Sequence, residues 1–376
     1  MKKTMKNVKK LFFGLILATI GYLSYRFVVN PSRIYPLPYA KIKVSKEEIK
    51  KAQSADIIII GDSAGSYLMD YMPRFVEETK SFLRKPIKIY DWSRPGENLA
   101  HVLAKVRALK NMPLLFIYHG GLDELTRRRF STKDLSSILK NIKITKNQNI
   151  LTAIYSLPLL SRIISWPYQK VSLDVSAPSY PLNISSKGAI RILEVLYSIF
   201  KWEAILLTEH LKLKDAKAWF IPQSYNITEK PVRVCEATIN IEIEKVLEKA
   251  NALIKENKDK EALNIIQNVL DKNKGNALAM HTMGNLLLSR GEFSKAKSAY
   301  YQAMIHDCGL TRANPIFTKI LMEEFEKKDF KIIDFNRMVT NYLGKNILFQ
   351  EPRKPQSIYY NKLIDKMISE FRKFMN

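Results

Sequence analysis

Four isoleucines in succession, Ile57, Ile58, Ile59 and Ile60, run directly into Gly61-Asp62-Ser63-Ala64. An unbroken β-branched run of this kind reads as a strand covered on both faces. Residues 86–92 and 113–119 repeat the pattern, and 98–110 between them has helical spacing. Two later strand candidates lie at 216–222 and 331–335. Strands alternating with helices predict an α/β fold built on a parallel, doubly wound sheet. Ser45 and Glu48 have the spacing of a capping box and predict a short helix before the first strand. Residues 131–214 read as mostly helical. Their apolar segments, 150–166 and 190–211, carry polar or charged residues, which suits buried helices better than membrane spans. Residues 357–374 predict a helix at the end of the chain.

The pattern changes over 243–310. Ala250, Leu253, Ala262, Ile266 and Val269 align with Gly284, Leu287, Ala296, Tyr300 and Ala303 at a spacing of 34 residues. Small residues at these offsets let two helices approach closely, and this period is the signature of tetratricopeptide helical hairpins. Gly291 falls at the turn of the second hairpin. Two hairpins rarely stand alone, so the unit is expected to pack on the α/β part. Such repeats predict a protein or peptide partner.

Composition adds a direction. The chain has 376 residues, 46% of them hydrophobic, with a net charge of +25. Five lysines (Lys2, Lys3, Lys6, Lys9 and Lys10) precede a largely apolar stretch, 11–29, close to bilayer-spanning length. With no clear Ala-x-Ala cleavage site, this reads as an uncleaved signal anchor of a single-pass membrane protein. The positive-inside rule places the bulk of the chain outside the cytoplasm, periplasmic or at the cell surface. The remaining positive charge is spread along the chain, as solvated surface lysines or as an attraction to an anionic envelope polymer. It is not concentrated in a nucleic-acid motif. The two cysteines, Cys235 and Cys308, form no metal-ligand cluster; they either pair or stay as thiols. No cofactor motif is present.

The candidate chemistry centres on Ser63, at the carboxyl end of the first strand, where open α/β sheets place reactive groups. Gly61-Asp62-Ser63 resembles the first block of the SGNH, or GDSL-type, hydrolases, a flavodoxin-like fold. Asp91-Trp92-Ser93-Arg94-Pro95-Gly96-Glu97-Asn98 resembles the second block, with Gly96 as an oxyanion-facing N–H. Gly121-Leu122-Asp123-Glu124 stands where the family carries Gly-x-Asn, with Asp123 replacing the asparagine. In the alternative register beginning at Gly120, Leu122 takes that place. Glu351-Pro352-Arg353-Lys354-Pro355 stands where the family has Asp-x-x-His-Pro, so that Glu351 replaces the acid and Lys354 the base. None of His101, His119, His210, His281 and His306 has an acid three residues before it. The layout is similar to an SGNH subgroup with tetratricopeptide repeats inserted before the final strand. It implies an anchor at 1–30, α/β parts at 31–240 and 316–376, and a repeat insertion at 241–315.

A serine hydroxyl needs a base to become a nucleophile. Lys354 is charged near neutral pH unless buried, and Asp123 would repel an oxyanion. Three readings follow. The first is a degenerate hydrolase kept as a binding or scaffold module of the cell envelope. The second is an atypical serine esterase or acyltransferase on acylated envelope polymers, with Ser63 as nucleophile and His119 or Lys354 as base. The third is a flavodoxin-like domain in which the Gly-Asp-Ser is coincidental.

Overall fold

The computed structural model describes residues 14–21, 42–83, 86–125, 127–128, 130, 134–135, 137–138, 177–178, 186–232, 241–309 and 313–375. The chain divides into two units, 1–39 with 133–173 and 40–132 with 174–376. The features below belong to the second. In the first, residues 14–21 form a helix. Of the membrane-spanning helix expected over 11–29, only residues 14–21 are described. Among the described residues no helix is long and apolar enough to cross a membrane, and the rest of that segment lies outside them.

In chain order the strands are β1 (Ile57–Gly61), β2 (Ile89–Asp91), β3 (Leu115–His119), β4 (Arg127–Arg128), β5 (Ala177–Pro178), β6 (Ala218–Phe220), β7 (Lys331–Ile332), β8 (Phe349–Glu351) and β9 (Lys354–Pro355). Five of them form one sheet in the order β2-β1-β3-β6-β7, with every neighbouring pair parallel. The protein is therefore a mixed α/β structure around a parallel sheet, as the alternating pattern predicts. The two antiparallel pairs, β4–β5 and β8–β9, stand outside this sheet.

The helices are α1 (Lys46–Gln53), α2 (Ser63–Met69), α3 (Met72–Leu83), α4 (Leu99–Ala108), α5 (Ser186–Leu213), α6 (Ile241–Lys255), α7 (Asp259–Lys272), α8 (Ala277–Ser289), α9 (Phe293–Ile305), α10 (Pro315–Glu326), α11 (Phe335–Thr340) and α12 (Ser357–Met375). All of β1 and β3 is buried. Ile57, Ile59, Leu115, Ile117 and Trp219 share a core with Phe75 of α3 and Phe371 of α12. Phe75 and Trp219 both meet the Phe371 ring edge-on, at 5.4 and 6.3 Å. Phe220 packs on Phe325 of α10 at 5.2 Å. Apolar cover of this extent explains why the inner strands read as continuous hydrophobic runs. The expected buried helix at 190–211 is the body of α5. Residues 139–176, with the apolar segment 150–166, lie outside the described residues.

Helices α6 to α9 form two hairpins. Leu247, Ala250, Ala262, Ile266 and Leu286 make one compact core. Gly284 lies so close to α9 that a Cβ on it would sit 2.6 Å from the Tyr300 ring. Ala296, Tyr300 and Met304 of α9 join the core of the sheet, so the second hairpin packs on the α/β part. Cys308, just beyond α9, is buried and disulfide-bonded; Cys235 lies outside the described residues. One local expectation fails. Ser45 precedes α1 but makes no side-chain cap. Its intended reciprocal partner, Glu48, accepts instead from Arg94 at 3.2 Å.

Candidate functional site

The strand order reverses between β1 and β3, and at such a point the carboxyl ends of neighbouring strands open a crevice. The loops leaving β1 and β3 meet there. Gly61 pairs with His119 across the two strands. A Cβ on Gly61 would lie 1.8 Å from the His119 carbonyl oxygen, so only glycine permits this approach.

Asp62 caps α2 and joins the two loops. Its Oδ1 accepts from the Ala64 N–H at 2.9 Å. Its Oδ2 accepts from the N–H groups of Gly121, Leu122 and Asp123 at 2.7, 2.6 and 3.1 Å. Burial and the charge of Asp123 push the Asp62 carboxyl up to about 7, against the backbone donors that favour its ionised form. Asp62 thus fixes the β3 loop, which in turn presents Asp123.

Asp123 is the hub. Its Oδ2 accepts from Ser63 Oγ at 2.8 Å and from the Gly96 N–H at 2.9 Å. Its Oδ1 accepts from Arg353 Nη1, also at 2.9 Å. Gly96 can aim its N–H this way because it adopts a left-handed conformation, φ +78°. Three separated segments therefore converge on the one carboxylate that the β3 loop presents. One oxygen rests in a cradle of hydroxyl and backbone N–H. The other is held by a guanidinium, a charge-assisted bond of the stronger kind. Lys105 is buried below the second segment and bonds to the Trp92 carbonyl and to Glu97. It thereby pins both sides of the Gly96 turn.

The remaining sequence-predicted residues fall elsewhere. Gly121 contributes its N–H to Asp62, not to the Ser63 cradle. His119 is fully buried, with Nδ1 2.6 Å from the Ile221 carbonyl oxygen and its ring edge-on to Phe335 and Tyr360. Burial lowers its pKa to about 4, so the ring is neutral at neutral pH. Nδ1 then carries the proton that the Ile221 carbonyl accepts, while the Ser63 proton goes to Asp123. Lys354 lies 3.6 Å from Asp70 and over the Tyr67 ring at 5.1 Å. Glu351 is exposed and pairs with Lys354 through the β8–β9 ladder.

Sequence reasoning missed Arg353 and Glu124. Arg353 sits at the tip of the β8–β9 hairpin, next to the lysine singled out as the degenerate base. The signal available was Asp123 itself, since a carboxylate buried beside Asp62 needs a cation. Buried Glu124 accepts from the Leu99 N–H at 2.9 Å, tying the same loop to the start of α4. Among the described residues, no group of three His, Cys, Asp or Glu is placed to hold a metal ion.

No protein-family model matches this chain, and neither a curated protein nor a solved structure does so.

Chemically, the cradle is an anion site with an anion already in it. Three donors, the Arg353 guanidinium among them, already engage both oxygens of the Asp123 carboxylate. The carboxylate also occupies the Gly96 N–H, a donor that a developing oxyanion would need.

Proposed function

We propose that this chain is an SGNH-like protein whose hydrolytic centre has become an occupied anion cradle, and that it serves as a binding or scaffold module of the cell envelope. The observation that carries the reading is the double acceptance by Asp123 Oδ2 from Ser63 and Gly96. In a working centre of this type the Gly96 N–H would stabilise the transition-state oxyanion, while the serine hydroxyl is the nucleophile and gives its proton to a base. Removing one such donor commonly costs about a hundredfold or more in rate. Here a carboxylate oxygen of the protein takes the Gly96 donor and also accepts the hydrogen bond of the serine hydroxyl. The lysine-rich, apolar N-terminus supports a membrane location with the bulk of the chain outside the cytoplasm. The helical hairpins with their 34-residue spacing support a tetratricopeptide-like unit that receives a protein or peptide partner.

A second reading has one observation in its favour. Ser63 keeps its hydroxyl at the switch point of the sheet, hydrogen-bonded to a carboxylate, which suits an atypical esterase or acyltransferase on acylated envelope polymers. Labelling of the full chain with a serine-reactive fluorophosphonate, beside Ser63→Ala, separates the two. We expect no labelling that depends on Ser63. Ser63-dependent labelling of the folded protein would overturn the scaffold reading in favour of the esterase.

A further inference from the structure

A recess of about 510 Å³ lies among three segments: the stretch after β6, the end of α8 and the loop from α11 to β8. Leu288, Leu343, Ile347, Leu348 and Phe349 give it apolar walls. Leu343 and Leu348 belong to the core of the sheet, and Leu288 and Phe349 pack against that core. The loop is held in place. The N–H groups of Lys345 and Asn346 donate to the Tyr342 carbonyl at 3.0 and 3.2 Å. Gly344, at φ +74°, lies so close to Phe293 of α9 that a Cβ on it would run into the ring. His281 of α8 fixes the opposite wall, its Nε2 2.9 Å from the Thr228 carbonyl oxygen. Every lining residue, with its neighbours in the chain, is among the described residues. None of the residues that engage Asp123 lines the recess.

The polar groups select the occupant. Lys345 is the one charged residue among those lining the recess, and its ammonium has no ion-pair partner among the described residues. Asn226 Oδ1 accepts from Thr228 Oγ1 at 3.0 Å, which leaves Asn226 Nδ2 to donate. The exposed Asn346 side chain can donate and accept. Ile347 stands 76% exposed at the rim.

We propose that this recess receives the C-terminus of a partner peptide that ends in an apolar residue. The terminal carboxylate meets Lys345, the last side chain lies on Leu288, Leu348 and Phe349, and the amides of Asn226 and Asn346 pair with the last peptide groups. A cation with no carboxylate beside it in the lining is complementary to an anion. A fatty acid would satisfy the cation and the apolar walls. It would also displace water from the two amides without replacing the lost hydrogen bonds. A peptide group brings both a donor and an acceptor. The volume falls within the range of ligand pockets. The recess touches α8 of the second hairpin and the α/β part together. The inference thus rests on the reading of this protein as a module with a peptide partner, and gives the end of that partner a place.

The test is fluorescence anisotropy of the full chain with a fluorescein-labelled peptide, Gly-Ser-Gly-Ser-Ala-Leu, ending in a free carboxylate. The same peptide with a C-terminal amide, and octanoate as a competitor, serve as comparisons. We expect saturable binding of the free-acid peptide, at least tenfold weaker binding of the amide, and no displacement by an equal concentration of octanoate. Lys345→Met and Ile347→Asp should each weaken binding at least tenfold. Both side chains are exposed, so the fold should not depend on them, and melting curves check this. Absence of saturable binding, equal binding of the amide, or displacement by octanoate would overturn the proposal. Saturable binding that neither variant changes would overturn it too, and would leave the peptide to the hairpins. The scaffold reading itself stands or falls separately, on labelling at Ser63.

Discussion

Gly61 and Gly284 both mark close approaches, and they differ in what they approach. At the end of β1 the neighbour is backbone: a Cβ on Gly61 would meet the His119 carbonyl oxygen at 1.8 Å. In the second helical hairpin the neighbour is a side chain: a Cβ on Gly284 would meet the Tyr300 ring at 2.6 Å. A ring can tilt, whereas a carbonyl locked in a five-stranded sheet cannot. The site region is thus built main chain against main chain, with Asp62 drawing three successive N–H groups of the β3 loop onto one oxygen. The hairpins are built from interlocking side chains, whose fit tolerates adjustment.

The largest expected effect tests the rigid half of this contrast. Gly61→Ala should cost about 3 kcal/mol or more, because overpacking that cannot relax is the costly kind. Urea unfolding followed by circular dichroism would measure it. A loss below about 1 kcal/mol would mean that the β1–β3 junction yields, and the contrast would fail.

A smaller effect probes the charge stored in that junction. The Asp62 carboxyl is raised from 3.8 to about 7 in the folded chain, first by burial and then by the Asp123 charge. Between those two values the folded protein holds a proton that the unfolded chain has released. Stability therefore falls as pH rises through about 4 to 7 and levels off above it. Asp123→Asn removes the charge contribution and lowers the folded-state value, so less stability should be lost across the window. A tenfold change in how tightly a carboxyl holds its proton is worth about 1.4 kcal/mol. On that scale the difference between variant and parent should change by on the order of 1 kcal/mol between about pH 4.5 and about pH 7.5. His119, held down to about 4 by burial, works the other way: its contribution is lost as pH falls from 6.5 to about 4. It is common to both proteins and cancels in the comparison. A variant–parent difference that is the same at both pH values would show that Asp123 does not act on Asp62.

The same contrast decides what could be read from the chain. Ile57 to Ile60 announce an inner strand because packing on both faces demands continuous apolar residues, and β3 and the close-set helices of the hairpins are legible for similar reasons of shape. The convergence of Ser63, Gly96 and Asp123 is also legible, because each ends or follows a strand whose place the pattern gives. Charge placement is not. Arg353 rather than Lys354 meets Asp123 because a tight hairpin turns alternate residues to opposite sides, and its register depends on the two-residue turn at Pro352 and Arg353. The capping box at Ser45 does not form, and Glu48, its reciprocal half, bonds instead to Arg94, 46 residues away. Both outcomes depend on which distant charge arrives, and local spacing carries no record of that.

The smallest effect tests the yielding half. Gly284 lies within α8, where alanine is favoured over glycine by about 1 kcal/mol in a helix interior. Gly284→Ala gains that preference and then must displace the Tyr300 ring, which also donates its hydroxyl to Asn285 Oδ1 at 2.7 Å. Overpacking typically costs about 1–3 kcal/mol, less where the neighbour can move. The two effects nearly offset, leaving a net loss of about 1 kcal/mol or less in urea unfolding. Removing the ring should reverse the sign: in a Tyr300→Leu background Gly284→Ala should stabilise, because the propensity gain remains and the clash is gone. If alanine stabilises equally with Tyr300 present, α8 and α9 do not approach at Gly284 as closely as the structure places them. If it costs as much as Gly61→Ala, the hairpin is as unyielding as the sheet, and the distinction between the two regions disappears.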